Sequence, residues 1–259
     1  MTNFYFSKVA FPKEHGSWGF FLEPIILSLI IAYSQNGMLI AICSFLLFLA
    51  YQPVSYIIKQ TPKFLLPSAY LYLFIYLFIA GVIFLFLVLN NEKIHFLIPF
   101  LVAIIFMIVF KLMEFKNLNR NIIVELIAPI SVTLMAISVA ISGGENLIFI
   151  IGFAIVLLSR SIETTFFVNN KLKLFKGYSY DKKLVDLIGI VFLLIIIVLS
   201  LYKVTPYFSI LAIVLLMLRA HVGLLEGNKN EKVKIVGIKE FIYGFLFVVI
   251  NAVGYSFGI

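Results

Sequence analysis

Charged residues are scarce in this chain. They make up 12% of its 259 residues, while hydrophobic residues reach 63% and mean hydropathy is +1.13. A soluble domain is about one quarter charged and about half apolar. The balance excludes a soluble globular protein and points to an all-α, polytopic membrane protein. A single cysteine, Cys43, excludes any disulfide within the chain; in its apolar run it reads as a small buried hydrophobe. Aspartate is nearly absent, with only Asp181 and Asp186. The three histidines, His15, His95 and His221, are too dispersed to argue for a metal site. A Gly-rich phosphate loop, a CxxC pair and an HExxH helix are all missing, so no metal or cofactor is expected. The first ten residues are mixed, and no cleavable leader is expected.

What the chain does have is long apolar runs. A crossing helix needs about 20 apolar residues, and nine runs qualify: 16–34, 38–58, 67–90, 94–112, 122–142, 146–168, 184–202, 205–225 and 236–257. A count of eight follows if 205–225 is re-entrant. No segment between them is large enough to fold alone, so residues 1–259 read as one integral membrane domain. With nine spans, all but two of the 20 Lys and Arg fall on one side, Lys93 and Lys203 being the others. The net charge of +8 therefore reflects membrane topology rather than nucleic-acid binding. The positive-inside rule sets the N-terminus in the cytoplasm of a bacterial cell and the C-terminus outside.

The stretch Glu14-His15-Gly16-Ser17-Trp18-Gly19-Phe20-Phe21-Leu22-Glu23-Pro24 opens the first span. Read as a helix, His15, Gly19 and Glu23 share one face. Trp18, the only tryptophan, suits an interfacial anchor. Glu23 lies among apolar residues, where a charge is costly without a partner and marks a candidate site.

Other polar residues within the spans gather toward the same side. They are Gln52 and Lys59 in span 2, Glu125 opening span 5, Arg160 and Glu163 in span 6, Arg219 closing span 8 and Glu240 opening span 9. Each also has a plainer reading. Arg160 and Glu163, at i and i+3, could tie span 6 to itself. Lys59 and Arg219 could snorkel, and Glu125 and Glu240 suit helix N-termini. Their agreement in depth favours a shared polar pocket. Arg160, Lys59 and Arg219 would hold an anionic head there, with Glu23, Glu163 and His15 as proton-transfer or orienting groups.

Pro12-Lys13-Glu14-His15-Gly16-Ser17-Trp18 with Glu23-Pro24 resembles the opening signature of the YwiC-like bacterial membrane proteins. Tyr51-Gln52-Pro53, Arg160 with Val168, and Gly237-Ile238-Lys239-Glu240 resemble its later blocks, so the likeness covers most of the chain. It implies a multi-pass membrane protein and no particular reaction. A more distant likeness is to the UbiA-type prenyltransferases, which imply nine spans, two four-helix halves with a ninth helix, and Asp-rich motifs ending spans 2 and 6. The matching places hold Gln52, Ser55, Arg160 and Glu163 and no aspartate, which argues against Mg²⁺-dependent diphosphate chemistry. The expected partners are the bilayer and a lipid, quinone or isoprenoid; a solute or lipid carrier and a non-catalytic subunit are the alternatives. Oligomeric state is not legible in the sequence.

The orientation is directly testable. Reporter fusions at Asn36, Asn91, Gly177 and the C-terminus should read outside, outside, inside and outside. An inside signal at the C-terminus would overturn the nine-span count.

Overall fold

A computed structural model describes residues 9–12, 15–60, 63–92, 94–116, 121–225, 231 and 233–258, with only the backbone of His15, Val233 and Lys234. Among the described residues there is no strand. From His15 on, the described residues form nine helices: α1 (His15–Ile31), α2 (Gln35–Lys59), α3 (Leu66–Asn90), α4 (Leu97–Phe115), α5 (Ile122–Ser142), α6 (Leu147–Phe175), α7 (Lys182–Leu201), α8 (Tyr207–Gly223) and α9 (Val233–Phe257), with a 3₁₀ turn, Lys63–Leu65, before α3. The turns between them carry the expected caps. Ser34, Asn121, Asn146 and Asp181 each accept a hydrogen bond from a backbone N–H in the first turn of the helix that follows.

Seven of these helices are long and apolar enough to cross a membrane. The other two, α1 and α8, have 17 residues each, about 25 Å at 1.5 Å per residue, the short end of what a span requires. The protein is therefore a multi-pass helical bundle. Prolines 24, 53 and 129 lie inside α1, α2 and α5; membrane helices tolerate them because neighbouring helices satisfy the freed backbone groups.

Helices α1, α5 and α6 occupy the centre. Helix α5 packs on α1, α2, α4 and α6, and α1 packs on α9, which lies against α8. Helices α3, α4 and α7 are peripheral and present rows of exposed Leu, Ile and Phe, as lipid-facing helices do. The central contacts rely on small residues. Ser131, Ala136, Ser138 and Ala140 of α5 are fully buried, and Ser131 Oγ donates to Ala103 O of α4 at 2.8 Å. The α2–α3 and α4–α5 pairings recur four helices later as α6–α7 and α8–α9, but the close α7–α8 pair has no equal in α3–α4.

One boundary differs from the sequence reading. The loop expected over 169–183 is shorter, because α6 continues to Phe175. Its polar residues are satisfied by neighbours. Lys171 Nζ donates to Gly223 O at 2.8 Å, and Asn170 Oδ1 accepts from Asp181 N at 2.8 Å.

At the far end, short turns are tied across the bundle. Ser34 Oγ lies 2.9 Å from Ser142 Oγ, and Asn36 Nδ2 donates to Asn91 Oδ1 at 2.7 Å. Gly143 sits where a Cβ would come within 2.5 Å of Ala32 O, a backbone atom that cannot step aside. Gly143→Ala should therefore destabilise the protein by about 1–3 kcal/mol in a thermal melt. Gly81→Ala, where a Cβ meets nothing within 4 Å, should cost nothing.

Candidate functional site

Glu23 lies two turns into α1 and points between α6 and α9. It fits because α9 presents a glycine there: a Cβ on Gly244 would come within 1.7 Å of Glu23 Oε1. Gly19, one turn earlier on α1, leaves the same carboxylate room, with its Cβ position 3.1 Å away.

Arg160 meets Glu23 as a fork. Its Nε donates to Glu23 Oε2 at 3.1 Å and its Nη2 to Glu23 Oε1 at 3.3 Å. The same guanidinium lies 3.6 Å from Glu240 Oε2 of α9 and donates to Glu240 O at 3.3 Å. Glu240 Oε2 also accepts from Arg219 Nη1 of α8. Arg219 Nη2 in turn donates to Glu163 Oε2 at 3.2 Å. Thr164 Oγ1 stands between the arginines and accepts from both. The Arg219 guanidinium lies 4.4 Å from the centre of the Phe167 ring and 5.8 Å from that of Tyr243.

The result is one run of alternating charge, Glu23–Arg160–Glu240–Arg219–Glu163, drawn from four helices. It holds three carboxylates and two guanidinium groups. Arg160, Glu163, Arg219 and Glu240 are all buried, so each charge depends on its neighbours. Among the described residues, three buried atoms of the cluster have no hydrogen-bond partner: Glu163 Oε1, Arg219 Nε and Glu240 Oε1. Among the described residues no His, Cys, Asp or Glu group is arranged to hold a metal ion.

The geometry revises several sequence expectations. Arg160 and Glu163 do not pair along α6; each reaches a different helix. Arg219 does not snorkel. Neither arginine is free for an anion, since both forks are filled by carboxylates. Glu125 stays apart and accepts from Asn169 Nδ2 at 3.0 Å. Lys59 is drawn to Glu114 at 3.6 Å and keeps 64% of its side chain exposed. Gln52 is half-buried on α2. Trp18 Nε1 donates to Pro12 O at 3.2 Å, and its ring meets Phe48 edge-on. The side chain of His15 lies outside the described residues, as do Lys13 and Glu14.

Sequence reasoning missed two groups. Lys111 Nζ donates to Glu114 Oε2 at 2.7 Å and lies 3.6 Å from the Tyr51 ring centre, while Tyr51 Oη donates to that carboxylate at 2.8 Å. The signal was the i, i+3 spacing of Lys111 and Glu114 at the end of span 4. Glu231, just before α9, joins Lys171 at 3.0 Å and Lys239. Burial works to raise the pKa of Glu231, but hydrogen bonds from Lys239 and Lys171 outweigh it and hold the carboxyl below its ordinary value.

The Glu23–Arg160 link makes a testable pair. Glu23→Gln should cost about 3 kcal/mol, because it leaves a buried guanidinium short of its fork. Adding Arg160→Gln should restore part of that loss in detergent melts. Strictly additive losses would reject the pairing.

Residues 11–140 match a family model described as YwiC-like protein. The matched half contains Glu23, Gln52, Lys59 and Glu125, while Arg160, Glu163, Arg219 and Glu240 lie beyond it. No curated protein and no solved structure matches the chain; the likeness to UbiA-type prenyltransferases therefore rests on helix number alone.

Proposed function

This chain belongs to the YwiC-like protein family, and from that premise we propose that it binds a membrane-soluble amphiphile in a polar pocket facing the cytoplasm. One observation carries the reading. A cavity of about 490 Å³ lies between α8 and α9, with Phe167 of α6 at its side. Its volume is that of a small-molecule site. Leu211 and Leu218, both lipid-exposed, form its outer wall, and Arg219 and Glu240 form its inner one. A ligand entering sideways from the bilayer would keep its tail against leucine and bring its head to the charged run.

The basic loops supply the orientation. With them inside, the charged run lies in the cytoplasmic half of a bacterial cytoplasmic membrane, the N-terminus inside and the C-terminus outside. A carrier of a charged solute would need charged groups along both halves of its path. The opposite half offers neutral pairs instead, such as Ser209 Oγ donating to Asn251 Oδ1 at 2.7 Å. This favours a binder or an enzyme over a solute carrier, and no reaction is assigned. A non-catalytic subunit would have no need of an open cavity beside buried charge.

Mass spectrometry of lipids retained through purification tests the proposal. The wild-type protein should keep an amphiphile enriched over bulk lipid. Leu218→Trp, which fills the outer wall, should lose it while melting normally. The same bulk lipid composition in both proteins would contradict the reading.

A further inference from the structure

A second group of charges lies between the ends of α2 and α4, apart from the run of five and from the cavity between α8 and α9. Three side chains converge on Glu114 there. Lys111 Nζ donates to its Oε2 at 2.7 Å and Tyr51 Oη to the same oxygen at 2.8 Å, while Lys59 Nζ stands 3.6 Å from Oε1. Lys111 also donates to Ser55 Oγ at 2.5 Å. Lys111 and Glu114 are half-buried and hold each other. Lys59, the last residue of α2, is exposed and lies beyond hydrogen-bond range of the carboxylate. One carboxylate thus faces two ammonium groups, which leaves one surplus positive charge. The surroundings keep that sign. Lys63 and Lys116 are exposed nearby in the chain, and the next acid, Glu125, faces Asn169 of α6. Of the segments outside the described residues, 117–120 adds Arg120 and no acid, and none of the others is net acidic.

A cavity of about 160 Å³ opens at this point, lined by Ser55, Ile58, Lys59, Lys111, Glu114 and Phe115. A site that encloses a whole small molecule has ~300–1,000 Å³. This one suits a single headgroup whose remainder lies outside. The outside is apolar. Phe115, Leu112, Ile108, Ile105 and Leu101 recur every three or four residues along α4 and are all exposed. They form one stripe that leads from the cavity along a lipid-facing helix. Acyl chains laid on that stripe would bring their headgroup to the end where Lys59 stands.

We propose that the cleft between the ends of α2 and α4 binds the phosphate of an anionic phospholipid, with the acyl chains along the exposed stripe of α4. Lys59 is the direct partner of the phosphate. Lys111, held in place by Glu114 and Ser55, adds positive charge from behind it. A zwitterionic phospholipid carries an ammonium group beside its phosphate, and that group would meet two lysines and a carboxylate already engaged by Lys111 and Tyr51. Charge therefore favours the anionic lipid. The site is independent of the amphiphile pocket between α8 and α9, and either reading can fail without the other.

Native mass spectrometry of the purified full-length protein tests this, with phosphatidylglycerol and phosphatidylethanolamine of the same acyl chains titrated separately and the first binding step read for each. Phosphatidylglycerol should bind about fivefold more tightly, the effect of about one lysine beside a lipid headgroup. Lys59→Gln should bring the two lipids to near equality. Lys176→Gln removes another exposed lysine, at the end of α6 on the same side of the bundle, and should leave the preference intact. Leu218→Trp, in the other cavity, should leave it intact too. An equal loss of preference in Lys176→Gln would mean diffuse surface charge in place of a site, and would overturn the proposal. So would equal binding of the two lipids by the wild-type protein, or a preference that survives Lys59→Gln. Inorganic phosphate is titrated in parallel by thermal shift. Stabilisation by it that Lys59→Gln removes, with no preference between the lipids, would assign the cleft to a soluble anion and overturn the lipid assignment.

Discussion

Buried charge in a membrane must be matched, and at the centre of the described bundle one connected run of five groups meets that requirement. Glu23, Arg160, Glu240, Arg219 and Glu163 alternate in sign and come from α1, α6, α8 and α9. None is well served by its own helix. Arg160 needs α1, Arg219 needs α6 and α9, and Glu240 holds both arginines. In hydrocarbon there is no water to replace a lost partner. The run therefore fixes how the four helices face one another, whereas apolar contacts alone would permit sliding and rotation.

The packing follows from this constraint. Helix α1 is among the shortest, yet it lies at the centre, because its carboxylate has to reach α6 and lie against α9. Gly244 of α9 and Gly19 of α1 leave the space that Glu23 fills. The cavity between α8 and α9 belongs to the same logic. The two helices hold the partners Arg219 and Glu240, so they meet at that level, and the space around the pair is the cavity. Buried charge and cavity are thus consequences of one arrangement.

Much of this was legible in the sequence. The nine apolar runs gave the nine described helices within a few residues, the end of α6 apart, because length and hydropathy are local properties. Glu23 stood out for its depth in an apolar run, and Arg160, Glu163, Arg219 and Glu240 for their shared level. Who pairs with whom was not legible. Arg160 and Glu163 sit at the spacing of an intrahelical pair, but the facing helices offer better partners, and tertiary contacts override local spacing. For the same reason Glu125 and Lys59, which share the depth, find Asn169 and Glu114 instead. The end of α6 was misjudged because Asn170 and Lys171 look like loop residues until their partners on neighbouring segments are known. An anion site was expected from Arg160, Lys59 and Arg219; Lys59 lies apart beside Glu114, and Glu23, Glu163 and Glu240 occupy the two arginines.

The five charges act as one unit. Glu23 and Glu163 stand at its two ends and do not touch each other. Removing one carboxylate leaves two arginines facing two acids. Removing both leaves two arginines facing one, a buried surplus of positive charge. Thermal or denaturant stability of Glu23→Gln, Glu163→Gln and the double variant measures this directly. The account predicts a combined loss larger than the sum of the single losses by at least about 0.5 kcal/mol. Simple additivity would mean that the two ends behave as separate ion pairs, and would contradict it.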